Sequence, residues 1–324
     1  MFSYLRTLLY SFLCIISLSI LHISAEIKNI IFDLNGVVFE TKKLPVVQQL
    51  GLAKLVCYGI STFQNPRNIE KRLFEVLEKI EPYTTEQERN NRNAPRDTKG
   101  NILPPLMRAW LNGSQNGTAI ISKVMDACKN QDDFFISHTE KVLVARLARS
   151  LFIPTNYINC QSLHSDATKT VRKLKQQGYK LYILSNWDEH SFELVRTNHK
   201  EFLALFDGVV ISGEAKMAKP DTAIYNHLLT TYNLQPHESI FIDDQQINID
   251  AARQLGIHAI LCPQHGYVSK SPNLALAYEK IMAHINACKE NDMLVADVNH
   301  YIENNPKVVK EIEQEQVRLE ALYT

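Results

Sequence analysis

Residues 239–262 read SIFIDDQQINIDAARQLGIHAILC. The apolar run Ile240 to Ile242 stops at two aspartates, Asp243 and Asp244. Gln246 to Leu255 then reads as a helix closed by Gly256, and His258 to Cys262 is apolar again. Strand, helix and strand in one short piece of chain form the repeating unit of a parallel sheet with right-handed crossovers. The same rhythm extends upstream. Thr222 to Tyr232 is a predicted helix, Gly208 to Ser212 a strand, Asp188 to Asn198 a helix and Tyr179 to Leu184 a strand. Before them Ser165 to Gln177 is a helix with Val171 and Leu174 inward and Gly178 as its stop. Ile27 to Phe32 supplies a first strand, ending on the triplet Ile30-Ile31-Phe32. The expected fold is α/β, a doubly wound parallel sheet.

One long segment breaks the alternation. From about Leu44 to Cys160 the pattern is helical. Leu73, Val76, Leu77 and Ile80 recur at helical spacing within Asn68 to Ile80, and Ile121, Val124, Met125 and Cys128 do so within Thr118 to Cys128. Val142, Ala145 and Ala148 do so within His138 to Leu151, ahead of Pro154. Thr84 to Gly100 between them is polar and charged, a long loop of the kind that carries function or moves. The expected organisation is a signal peptide over 1–25, a core domain from 26–43 and 161–266, an all-helical cap domain over 44–160, and a helical C-terminal extension over 267–324. In that tail Asn305-Pro306 is a good helix start. Val308, Ile312 and Leu319 then make a narrow apolar stripe on a charged helix, suited to packing weakly on the core or on a partner protein.

Lys+Arg and Asp+Glu both number 35 in the 324-residue chain. That balance leaves no basic surplus for a nucleic-acid backbone, so this class of partner is set aside. Arg6, the charge-free run Thr7 to Leu21 and the small residue Ala25 have the form of an export signal. The run is short against the roughly 20 apolar residues of a membrane span. Export to a periplasm or secretion is expected, with an uncleaved membrane anchor as the alternative. Six cysteines are widely spaced and show no zinc-ligand pattern. Asn112-Gly113-Ser114 and Asn116-Gly117-Thr118 match the glycosylation sequon, which matters only in a eukaryotic secretory pathway; the favoured reading is a turn between cap helices.

Ligands of a parallel sheet bind beyond the carboxyl ends of its strands. Those ends, or the loops near them, carry Asp33, Ser185-Asn186, Lys219-Pro220-Asp221 and Asp243-Asp244. Taken singly, each has a plain structural reading as a cap, a turn or a surface loop. Together they set a carboxylate nucleophile, a hydroxyl, a cation and an acid pair on one rim. That combination suits a divalent cation with a bound phosphate.

The four stretches resemble the four motifs of the haloacid dehalogenase-like superfamily. They are Ile30 to Val38 (IIFDLNGVV), Leu181 to Asp188 (LYILSNWD), Ala218 to Asp221 (AKPD) with Ile224-Tyr225, and Ile240 to Gly256. The style is closest to the branch with a helical cap after the first strand, which includes sugar-phosphate phosphatases and the phosphatase domain of soluble epoxide hydrolase. The resemblance implies a Rossmann-like core and a Mg2+-dependent phosphatase acting on a small phosphorylated substrate. It implies that Asp33 attacks phosphorus to form an aspartyl-phosphate. Ser185 and Asn186 would hold phosphate oxygens, and Lys219 would neutralise charge. Mg2+ would be held by Asp33, by the backbone carbonyl of Asn35 and by Asp244, with Asp243 acting through a water.

One position departs from that pattern. The family's acid–base aspartate two residues after the nucleophile is here Asn35, which exchanges no proton at ordinary pH. Its backbone can still serve a metal. Glu40 and His190 lie near the motifs as candidate replacement acids, although a surface or capping role suits each better. Two rival readings follow. A metal-free haloacid dehalogenase has no use for Asp243-Asp244. A non-catalytic binding or secreted effector protein would account for Asn35, the polar loop and the helical tail.

Overall fold

The computed structural model describes residues 26–97, 100–262, 264–265 and 271–304. The expected signal peptide or anchor, and the helix start at Asn305-Pro306, lie outside them. Among the described residues no helix is long and apolar enough to cross a membrane. Residues 28–279 form one compact unit, and the described residues 280–304 belong to a second.

The larger unit is built on a five-stranded parallel sheet. Its strands are β1 (Asn29–Phe32), β4 (Lys180–Ser185), β5 (Gly208–Ile211), β6 (Ser239–Asp243) and β7 (His258–Leu261), in the order β5-β4-β1-β6-β7. Every neighbouring pair is parallel. The expected doubly wound sheet is therefore present. Strand β1 is central and completely buried, as its unbroken apolar triplet requires. Tyr182, Phe241, Ile224, Tyr225, Leu228 and Ile249 form part of the core packed on one face.

The segment between β1 and β4 is helical, with principal helices Lys43–Leu50, Leu52–Thr62, Ile69–Ile80, Gly117–Asn130 and His138–Phe152. It has a hydrophobic core of its own, including Leu73, Leu77, Leu106, Trp110, Val124, Leu143 and Phe152. Inside it Glu140 is buried. Glu140 accepts from Arg72 Nε at 2.6 Å, from Ile136 N at 2.7 Å and from the Tyr58 hydroxyl at 3.4 Å, so one carboxylate ties three helices together. An antiparallel pair joins this helical part to the sheet at its entry and exit: β2 (Phe39–Thr41) against β3 (Gln161–Leu163). Strands of three residues escape a reading by periodicity.

One loop expectation changes, and the turn between helices at the two sequons is present. The polar stretch Thr84 to Gly100 contains a helical turn, Glu86–Arg89, capped by Thr85, whose Glu88 pairs with Arg108. Tyr83 lies between the Arg89 and Arg108 guanidinium groups, each 5.4 Å from its ring centre. The sequon asparagines are engaged locally. Asn116 caps the helix Gly117–Asn130 by accepting from Ala119 N at 2.8 Å, and Asn112 accepts from Ser114 N at 3.0 Å. Among the described residues no disulfide is formed. The last of the described residues form one helix, Leu274–Asn304.

Candidate active site

Because β4 and β6 flank β1 in parallel register, their carboxyl ends lie side by side. Phe32 is level with Ile183 on one side and Ile242 on the other. Neighbouring strands are about 4.8 Å apart, so the next residues, Asp33, Leu184 with Ser185, and Asp243, fall into one small volume. The Asp33 amide continues the ladder by donating to Ile242 O at 2.8 Å. The chain then turns tightly, with Gly36 N donating to Phe39 O. Gly36 has φ +83°, and a Cβ there would lie 2.5 Å from Asp244 Oδ2. Glycine is needed at this position both for the turn and for the carboxylate beside it.

Lys219 reaches the site from the loop beyond β5. It is almost completely buried, with Nζ 2.6 Å from Asp243 Oδ2 and 3.0 Å from Asp33 Oδ1. Carboxylate oxygens of Asp33, Asp243 and Asp244 lie within 4.8 Å of one another. Asp243 is fully engaged. Besides Lys219 it accepts from Gln245 N at 2.8 Å and from Asn248 Nδ2 at 3.0 Å and 3.1 Å. Asp33, by contrast, has Lys219 and the buried Ser185 hydroxyl as its side-chain neighbours.

The electrostatics follow from this crowding. Burial, together with the Asp243 charge and against the pull of Lys219, pushes the Asp33 carboxyl up to about 6. Burial and the charges of Asp243 and Asp33 push Asp244 up to about 8. For Lys219 burial works against the charged form, but the two aspartates win and hold the ammonium above its ordinary value.

Asp33, Ser185, Lys219, Asp243 and Asp244 are thus gathered in one place. Asn186 is beside them, but its side chain is already committed. Nδ2 donates to Lys219 O at 2.9 Å and Oδ1 accepts from Lys219 N at 2.8 Å. It braces the lysine loop.

Asn35 directs its side-chain Nδ2 at the Tyr157 hydroxyl, 3.4 Å away. Tyr157 packs edge-on against Trp110 and Trp187, with centroids 6.0 Å and 5.6 Å apart. Glu40 sits on β2 opposite Ser162. His190 lines a cleft with Trp110, Gln115, Asn116 and Asp188. Asp188 caps the helix Glu189–Asn198 through one oxygen, accepting from Ser191 N at 3.0 Å, while its Oδ2 is buried without a partner. Burial raises its carboxyl pKa.

Tyr157, Asp188 and Asn248 were not singled out as site residues from the sequence. Asn248 carried a signal, lying five residues beyond Asp243 on the following helix. Tyr157 carried none, because only the fold brings the end of the helical segment to β1.

The haloacid dehalogenase-like hydrolase family matches residues 27–256 of the chain. Among curated proteins the chain is similar to the sesquiterpene phosphatase astK of Aspergillus oryzae. The two are 37% identical over 90 residues, which is 28% of this chain and 45% of that protein. It is also similar to haloacid dehalogenase-like hydrolase domain-containing protein 3 of Xenopus laevis, 29% identical over 119 residues, or 36% of this chain and 48% of that one. The matches therefore span less than half the length of these relatives. In fold it is similar to the solved structure of a predicted HAD-like family hydrolase from Porphyromonas gingivalis. There the TM-score is 0.50 at 18% identity, covering 80% of this chain and 98% of that chain. With the match running from the first strand to the helix after β6, the chain belongs to the haloacid dehalogenase-like hydrolase family.

Proposed function

We propose that this hydrolase is a Mg2+-dependent phosphomonoesterase acting on a small phosphorylated metabolite through a phosphorylated Asp33. The observation that carries this reading is the set of three carboxylates gathered around one buried ammonium. Three negative charges against one positive leave an excess of two. Without a divalent cation, the raised values at Asp33 and Asp244 relieve that excess by proton uptake. A hard divalent cation suits an all-oxygen donor set of this kind. Asp33, Asp244 and the Asn35 carbonyl would hold it, with Asp243 fixed behind them by Lys219, Gln245 and Asn248. When bound, Mg2+ supplies positive charge for the phosphoryl oxygens.

The remaining work falls to the chain. An Asp33 oxygen attacks phosphorus, the bond from phosphorus to the departing alcohol breaks, and that alcohol oxygen takes up a proton. Water then attacks phosphorus, the bond to Asp33 breaks, and phosphate leaves with the carboxylate restored. Lys219 neutralises charge on both the nucleophile and the phosphoryl group. The buried Ser185 hydroxyl beside Asp33 and the Asn186 backbone amide are the donors this reading assigns to phosphate oxygens.

Residues 44–160 act in this reading as the cap that selects substrate and excludes water. The aromatic neighbours Trp110, Tyr157 and Trp187, and a relative named as a sesquiterpene phosphatase, favour a substrate with an apolar organic portion. Export through residues 1–25, and partner contacts through the C-terminal helices, complete the proposal.

The test is phosphate release from a panel of aryl and alkyl phosphates, with Mg2+ or with EDTA, using Asp33→Asn as control. Release that needs both Mg2+ and Asp33 supports the reading. Release unaffected by EDTA and by Asp33→Asn would overturn it.

A further inference from the structure

We propose that the outward face of the helix Leu52–Thr62, with Leu44 and Phe63 beside it, docks on an anionic membrane surface. Nine large apolar side chains are exposed among the described residues, and five of them, Leu44, Leu52, Val56, Ile60 and Phe63, fall in this one stretch. Ile60 is 71% exposed and Phe63, at the left-handed end of the helix with φ +53°, is 95% exposed. At 100° per residue, Leu52, Val56, Ile60, Ala53 and Cys57 fall on one arc of roughly 140°. The opposite side of the helix holds Tyr58, which is buried in the core of the helical segment. The helix is thus fixed to the protein by one face while a second apolar face points to solvent. An exposed apolar face of this extent marks an interaction site.

The charges identify the partner. From Thr41 to Ile69 the sequence contains no Asp and no Glu, while Lys42, Lys43 and Lys54 are exposed. The whole chain has formal net charge zero, so the positive rim is local. An apolar helix face in a stretch that carries lysines and no acids has the composition of a helix lying in a lipid interface. There the apolar side chains enter the acyl boundary and the lysines reach the phosphate headgroups. A second copy of the chain fits less well. A two-fold contact through this face would bring the lysines of one copy toward those of the other, with no carboxylate within residues 41–69 to separate them. The inference rests on this surface alone and stands whatever the substrate.

Cys57 lies on the face and is the exposed thiol among the five described cysteines, so it can report contact directly. The full chain, carrying Cys14→Ser, is labelled at Cys57 with an environment-sensitive fluorophore and mixed with phosphatidylcholine vesicles with or without phosphatidylserine. The expected result is a blue shift of the emission, quenched by doxyl-labelled lipid, that requires phosphatidylserine and weakens at high salt. Ile60→Glu with Phe63→Glu should lower vesicle binding about tenfold or more, because two large apolar side chains are lost from the interface. Lys54→Glu should lower it less and should remove part of the salt dependence. Both changes are at exposed positions, and an unchanged circular dichroism spectrum establishes that the fold is kept. A label that stays in water while the protein is bound to vesicles would overturn the proposal. So would a label already blue-shifted without vesicles, particularly if sedimentation then shows a dimer.

Discussion

The Asn35 side-chain amide meets the Tyr157 hydroxyl at 3.4 Å, two residues beyond Asp33 and at the far end of the helical segment. The amide nitrogen donates, so the phenol oxygen accepts and its own proton is available to another acceptor. Burial, with the charges of Asp188 and Asp33, drives the phenol pKa up, so Tyr157 remains protonated. It is suited to donate a hydrogen bond to the departing oxygen, but not to surrender the proton outright. Tyr157→Phe should lower kcat/KM on alkyl phosphates about tenfold, the worth of one hydrogen bond in the transition state, with a smaller loss on aryl phosphates. Equal losses on both, matched by a fall in melting temperature, would make Tyr157 a packing residue only.

Metal removal should be visible in stability as well as in activity. If Mg2+ binds the folded chain alone, saturation at 100 times Kd stabilises it by about 2.7 kcal/mol. Thermal melts with Mg2+ and with EDTA should therefore differ by several degrees. In Asp244→Asn the Mg2+ effect should vanish. At neutral pH the metal-free variant should melt higher than metal-free wild type, since an amide does not have to take up a proton on folding as the crowded Asp244 carboxylate does. A variant that melts lower than wild type in EDTA would contradict the charge excess at this site.

The same crowding sets a pH dependence for the metal-free protein. Asp33 and Asp244 have folded-state values of about 6 and about 8, both above their ordinary 3.8. Over that window the folded state binds more protons than the unfolded state, so stability falls as pH rises. In EDTA the contribution of these two groups should decline from about pH 4 to about pH 8 and then level off. Asp244→Asn should flatten the upper part of that decline. Urea melts across the range, wild type against variant, measure the difference, and parallel curves would exclude Asp244 as its source.

In the helical segment, Arg72 and the buried Glu140 form an ion pair whose carboxylate also takes the Ile136 amide and the Tyr58 hydroxyl. Removing one partner of a buried pair strands the other charge. Arg72→Leu should destabilise the protein by about 3–5 kcal/mol, whereas Arg72→Leu with Glu140→Gln should recover much of that loss. Chemical denaturation of the two variants decides the matter, and a single variant as stable as wild type would show that Glu140 needs no cation.

The sheet and the acidic rim were legible because both depend on local chemistry. Ile30-Ile31-Phe32 can only be a strand buried on both sides, and Asp33, Ser185 and Asp243 follow directly from strand ends. Lys219 was legible as a member of the set, though not its almost complete burial against Asp33 and Asp243. Asn186 shows where local reading stops. Its type suits phosphate, yet its amide braces the backbone of a residue 33 positions away. Tyr157 and the β2–β3 pair depend on where a long insertion returns to the sheet, which no periodicity records. The outward face of Leu52–Thr62 was hidden for the opposite reason. Its apolar residues satisfy a helical pattern, and pattern alone does not separate a face turned to the core from one turned to solvent.

Asn35 gives the most informative single substitution. Formation of the phospho-enzyme needs Asp33, Mg2+ and a leaving group able to depart. Its hydrolysis needs water to lose a proton, for which an amide is useless. Wild type should therefore turn over aryl phosphates, whose phenolate leaves without help, better than alkyl phosphates, whose alkoxide needs an acid. Asn35→Asp puts a carboxylate beside the Tyr157 hydroxyl, which can then donate to it instead of accepting. Alkyl-phosphate turnover should rise by the ~10²–10⁴-fold of one acid–base group. The aryl substrates should gain mainly in the hydrolytic step, seen as loss of any initial burst. Asp33→Asn should abolish release in either background. If wild type and Asn35→Asp are both inert on every substrate, while both fold and bind Mg2+, phosphoester hydrolysis is not the chemistry of this site.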